Sequence, residues 1–141
     1  MPREAVTMES ISPIRSQHLV PAGDIDEKTR DYLGKRMRDH GRTATDLLFA
    51  VVLMDHEGTE RIAKRIAEGP PKGAYYDEGE ARLHEVFPET FFEMEETLST
   101  AALTLASAAA AEDSDGVSQH YSQIVETCVE CHTLFTRRVP Q

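Results

Sequence analysis

Three stretches of this chain place their core-type residues at alternating steps of four and three, and that repeat most narrows what it can fold into. The first runs Leu33, Met37, His40, Ala44, Leu47, Val51, Met54. The second runs Phe87, Phe91, Met94, Leu98, Ala101, Leu105, Ala108, and the third Val117, Tyr121, Ile124, Cys128, Cys131, Phe135. Such steps keep side chains on one side of an α-helix, so each stretch reads as a helix with one buried seam. No segment alternates with period two over a strand's length, and there is no internal repeat. Asp24 or Asp26 is placed to cap the first helix. Asp55 to Gly58 interrupts it, Thr59 caps a shorter helix carrying Ile62, Ala63 and Ile66, and Gly69-Pro70-Pro71 ends that one. Residues 69–86 read as a Gly- and Pro-rich loop with one helical turn near Glu80 to Val86. Pro88 suits the first position of the third helix, and residues 112–116 turn into the fourth. The expectation is an all-α, antiparallel four-helix bundle over residues 26–141, preceded by an extended lead-in over residues 1–25.

Both cysteines of the chain fall on the third stretch, in Cys128-Val129-Glu130-Cys131-His132. This is the C-x-x-C-H spacing of covalent haem attachment. Two thiols add across the vinyl groups of one porphyrin, and the adjacent imidazole ligates the iron. On a helix, Cys128 and His132 stand at i and i+4, sharing a face. A thioredoxin-like pair would instead open a helix after a strand, where its thiolate is stabilised. A structural zinc site would need a fourth ligand, usually from a second paired motif. Neither context is visible, and a simple buried Cys pair stays open as the plain alternative; the expectation is that Cys128 and Cys131 attach one haem c, with His132 as an iron ligand.

Lys and Arg number 15 against 25 Asp and Glu, giving a net charge of −10. That balance disfavours nucleic acid as a partner. The longest apolar run, Leu47 to Met54, is too short to span a membrane. Met1 to Pro21 is polar and interrupted by proline, unlike a secretory signal. Haem is ordinarily joined to this motif outside the cytoplasm, so the expected setting is the periplasm, with the export signal not part of this chain. No acid–base pair suited to an enzyme is visible apart from His40, and no catalytic activity is expected.

With these residues in view, the chain resembles the cytochrome c′ and cytochrome c-556 superfamily, the class II c-type cytochromes. The resemblance covers roughly Asp26 to Arg138. It rests on the terminal motif, with Phe135 three residues beyond His132, and on Met37-Arg38-Asp39-His40-Gly41-Arg42, which is similar to the Met-Lys-x-x-Gly stretch of the c-556 branch. It implies a bundle with one haem on its last helix, Met37 as sixth iron ligand opposite His132, and electron transfer with redox partner proteins. It also makes a homodimer an open expectation. The alternative within the same resemblance is a five-coordinate, cytochrome c′-like protein that binds nitric oxide or carbon monoxide. The basic residue often found after the aromatic is Thr136 here, with Arg137 one place late.

Gly34 and Gly41 lie on the face of Met37. Each costs about 1 kcal/mol relative to alanine within a helix, and a flat porphyrin against that surface would offset it, since glycine permits close approach. Without a haem, Met37 reads as a core gap filler. His40, one turn along, is the rival ligand. Arg30, Arg36 and Arg38 are candidates to pair a haem propionate. His18, His84 and His120 read as solvated. Glu89, Glu93, Glu95 and Glu96 form either a solvated face or a dock for a basic redox partner.

Overall fold

The computed structural model describes residues 19–21 and 23–138. Its elements are β1 (Leu19–Pro21), α1 (Glu27–Val52), α2 (His56–Glu68), α3 (Ala74–Val86), α4 (Glu89–Ala110), α5 (Ser114–Phe135) and β2 (Thr136–Arg138). The architecture is all-helical apart from one short antiparallel ladder. The four helices read from the sequence are present, and α3 makes a fifth where a loop with one turn was expected. Residues 1–18 of the lead-in, including His18, lie outside the described residues.

Aspartates start three of the helices by the same device. The side chain of Asp26 accepts from Thr29 N–H at 2.7 Å, Asp55 from Gly58 at 2.9 Å and Asp113 from Gly116 at 3.0 Å. Each satisfies one of the amides that a first helical turn leaves without an intrahelical partner. At α2 and α5 the third helical residue is glycine for a steric reason. A Cβ there would stand 2.2 Å from the Asp55 carboxylate or 2.3 Å from that of Asp113. Asp55 therefore caps α2, and Thr59 is instead a buried interior residue. Pro88 precedes α4 as its cap position rather than opening the first turn.

Burial follows the seams with one drift. On α1, Leu47 is fully buried and Leu33, Met37, His40, Ala44 and Val51 are partly buried. Met54 has left the helix with φ of 56° and is exposed. On α4, the fully buried positions in the C-terminal half are Ala102, Leu105, Ala106 and Ala109. A straight helix turns about 20° per heptad against a strict seven-residue repeat, which moves the buried line one residue on from Ala101 and Ala108. Alanines there let α2 and α4 come close, and Ser99 on α4 donates to the Ala67 carbonyl on α2 at 2.8 Å.

The interior falls into two apolar clusters. The larger holds Leu47, Ala50, Ile62, Ala63, Ala102, Leu105, Ala106, Ala109, Val117 and Ile124, with Leu98, Tyr121 and Cys128 packed against it. The smaller holds Tyr32, Leu83 and Phe91, flanked by Leu33, Tyr76, Phe87, Phe92 and Phe135. α3 belongs to the smaller one. Its Gly79 admits the Tyr32 ring so closely that an added Cβ would lie 2.3 Å from ring carbons. The Tyr32 hydroxyl donates to Glu80 at 2.6 Å.

α2 packs chiefly on α4 and α4 on α5, whereas α1 and α5 touch only sparingly. β1 pairs with β2 in the register Leu19 to Arg138, Val20 to Arg137 and Pro21 to Thr136, tying the segment before α1 to the end of α5. Among the described residues, no helix is long and apolar enough to cross a membrane.

Candidate haem-attachment site

The Cys-x-x-Cys-His motif occupies the last two turns of α5, where the two apolar clusters part. Cys128 packs on the larger cluster and Phe135 on the smaller, with Cys131 and His132 between. Both cysteines are free thiols and half-buried, and the His132 ring is exposed. Burial pushes both thiols up from the ordinary cysteine value; for Cys131 the charge of Glu95 adds to the same effect. Among the described residues, no three His, Cys, Asp or Glu side chains converge to hold a metal.

The end of α5 is fixed from both sides. The Thr136 N–H and its hydroxyl both donate to the His132 carbonyl. Thr136 thus closes the helix where a basic residue often stands, and Arg137 is exposed within β2. Phe135 meets Phe91 edge to face at 5.3 Å between centroids, and Phe87 at 6.1 Å, while Phe87 stacks on Phe91 at 4.3 Å. This aromatic group anchors the turn that carries His132.

At the level of the motif the interior is polar. Arg36 of α1 is buried, with Nη1 2.6 Å from Glu95 Oε1 on α4 and 3.2 Å from Glu80 Oε1 on α3. The approach to Glu95 is an ion contact without hydrogen-bond angles, and both Arg36 Nη1 and Glu95 Oε1 are buried without a hydrogen-bond partner. Burial raises the Glu95 carboxyl above its ordinary value even though Arg36 pulls it down. Arg36 is therefore committed inside the fold and is not the surface cation of a propionate pair. Sequence reasoning missed this role, although Arg36 sits one turn after Tyr32 on the face that α3 covers. Arg30 donates to the Ile25 carbonyl at 3.2 Å, and Arg38 is exposed.

Of the α1 candidates, Met37 and His40 are both half-buried. Burial, and then the Arg36 charge, hold His40 down to about 4; Asp39 opposes this, and the charge of His132 adds to it. Protein packing does not explain the two glycines on this face. A Cβ at Gly41 would meet nothing within 4 Å, and one at Gly34 only Arg38 Nη1 at 3.4 Å.

Two open depressions lie on the surface of the helices. One of about 650 Å³ lies along α4 and α5, lined by Glu93, Glu96, Glu126, Glu130 and threonines. The other, of about 360 Å³, lies beside His40, against the connection that follows α2. Neither is lined by Met37, Cys128, Cys131 or His132.

Comparison of the chain with family models, with curated proteins and with solved structures finds no match. The reading of the site rests on its residues.

These residues fit a covalently held haem by two tests of the fold. The thiols are free, half-buried and on the inward side of α5, as thioether formation to an interior macrocycle requires. The layer between the apolar clusters holds the buried Arg36–Glu95 ion contact, whose Nη1 and Oε1 atoms lack hydrogen-bond partners.

Proposed function

We propose that this protein is an electron-transfer cytochrome of the c-556 kind, a helical bundle carrying one haem on α5. The observation that carries the reading is the Cys128-x-x-Cys131-His132 motif on α5, set where the two apolar clusters part. When bound, the haem supplies a one-electron couple at its iron.

The chain's own residues have defined tasks in this reading. Cys128 and Cys131 would hold the haem through thioethers, and His132 would bind its iron. Met37 would supply a second iron ligand, a soft neutral thioether that favours the ferrous state. Phe87, Phe91 and Phe135 exclude water on one side, and Leu98 does so on the other. Helices on both sides hold the two ligands, which keeps rearrangement on electron transfer small. The chain's partners would be redox proteins, its setting the periplasm, and its relatives the class II c-type cytochromes.

His40, half-buried one turn along α1 from Met37, is the second candidate for the sixth position. The experiment is expression in an export-competent host that attaches haem c, followed by spectra of both oxidation states. Wild-type ferric protein should show the weak near-infrared sulfur-to-iron band, and Met37→Ala should abolish it while His40→Ala keeps it. The reverse pattern assigns His40. A high-spin resting spectrum with rapid carbon monoxide binding assigns the gas-binding alternative. Colourless protein from such a host overturns the reading altogether.

A further inference from the structure

The cavity beside His40 gathers cations in a chain whose net charge is −10. It lies between the middle of α1 and the Gly69-Pro70-Pro71 connection, and Arg36, Arg42 and Arg65 all line it. Two carboxylates, Asp39 and Asp46, face the three arginines, so the lining itself carries one excess cation. Asp39 is taken by Lys35 at 2.7 Å, and Arg36 by Glu80 and Glu95. That leaves Arg42 and Arg65 against Asp46. Among the described residues neither arginine makes an ion pair. Ile66 and the two prolines supply apolar wall, and Thr43 and Tyr76 add hydroxyls. Unpaired guanidinium groups at a partly enclosed space concentrate positive potential there. Their planar forks match a carboxylate or a phosphate through paired, charge-assisted hydrogen bonds.

We propose that this cavity is an anion site in which Arg42 and Arg65 grip a carboxylate, with Tyr76 as a neutral donor. Two sources offer that chemistry: a propionate of the haem proposed above, or a free carboxylate. His40 lines the cavity and is the rival sixth ligand of the reading above, which puts the cavity beside the haem of that reading. The propionate is thus the occupant that rests on the cytochrome reading.

Two measurements test the site with Arg42→Gln, Arg65→Gln and the double variant. Both positions are exposed, so folding should survive; circular dichroism and melting check it. In haem-bearing protein, the double variant should have a lower reduction potential than wild type, because nearby cations favour the ferrous centre. The carboxylate ionisation seen in the pH dependence of that potential should move to higher pH. In haem-free Cys128→Ala/Cys131→Ala protein, succinate and phosphate titrations by calorimetry should show binding that the double variant weakens at least about tenfold, the loss of roughly one charge-assisted contact. A response in the first measurement alone assigns the propionate, and in the second alone a free anion. No response in either overturns the site. If the wild-type protein matures without haem, the cytochrome reading fails, and the anion titration still decides the cavity.

Discussion

Replacing Arg36 by methionine removes a charge while keeping most of the side chain's length, and the structure sets the size of the effect. Arg36 is 7% exposed and stands between Glu80 and Glu95, which keep 25% and 27% of their side-chain exposure. Breaking a buried pair from one side costs about 3–5 kcal/mol, because the remaining charge loses its partner. Water still reaches a quarter of each carboxylate, so the lower end applies, about 3 kcal/mol. For 141 residues each kcal/mol moves the melting temperature by about 3 °C, so Arg36→Met should melt about 10 °C lower near neutral pH. The sign of the pH dependence follows from Glu95. Its folded-state value already lies above the ordinary 4.5, and losing Arg36 raises it further. A carboxyl raised on folding contributes stability when protonated and loses it as pH rises through the folded value. The deficit of the variant should therefore be largest near neutrality and shrink as pH falls toward 4.5. Urea unfolding followed by circular dichroism at about pH 7.5 and about pH 5 measures both quantities. A deficit below about 1 kcal/mol, or one equal at both pH values, would show the cluster to be screened like a surface pair and refute the argument. Arg36→Met/Glu95→Gln should recover part of the loss, since it removes both partners.

Gly79→Ala should destabilise by about 1–3 kcal/mol despite alanine's better helix propensity, because its Cβ meets the Tyr32 ring; an unchanged melting temperature would show that the ring can move aside. Asp113→Ala and Gly116→Ala should each cost about 1 kcal/mol by losing the same cap, and the double variant should cost no more than one of them. In haem-free protein, alkylation of Cys128 and Cys131 should be slow at neutral pH and still accelerating above the ordinary thiol range, because burial raises both thiols. Mass spectrometry across a pH series reads this, and a plateau near neutrality would contradict it.

The long helices were legible because each carries its own seam, and the cap of α1 was legible as one of two aspartates, of which the structure uses Asp26. α3 was not. Its buried residues are Gly79 and Leu83, and what holds it is the Tyr32 ring and the Glu80 carboxylate reaching α1. Those are partners distant in sequence, and no periodicity displays them. The β1–β2 pair escaped for a related reason: three residues are too few to show alternation. At the candidate site, the spacing of the cysteines and histidine is what the sequence displays. The ionic layer at their level was hidden, because a buried arginine beside a seam has the sequence signature of a surface one. Its nearest clue was Tyr32 one turn earlier, which marks a second covered face on α1.

The division of the interior into two apolar clusters gives the molecule two regions that can open by separate routes. α2 and the C-terminal half of α4 share one, while α3 and the start of α1 share the other. Amide exchange should sort their backbones into two groups with different opening free energies, and a rigid cross-link through the middle should merge the two into one cooperative unit.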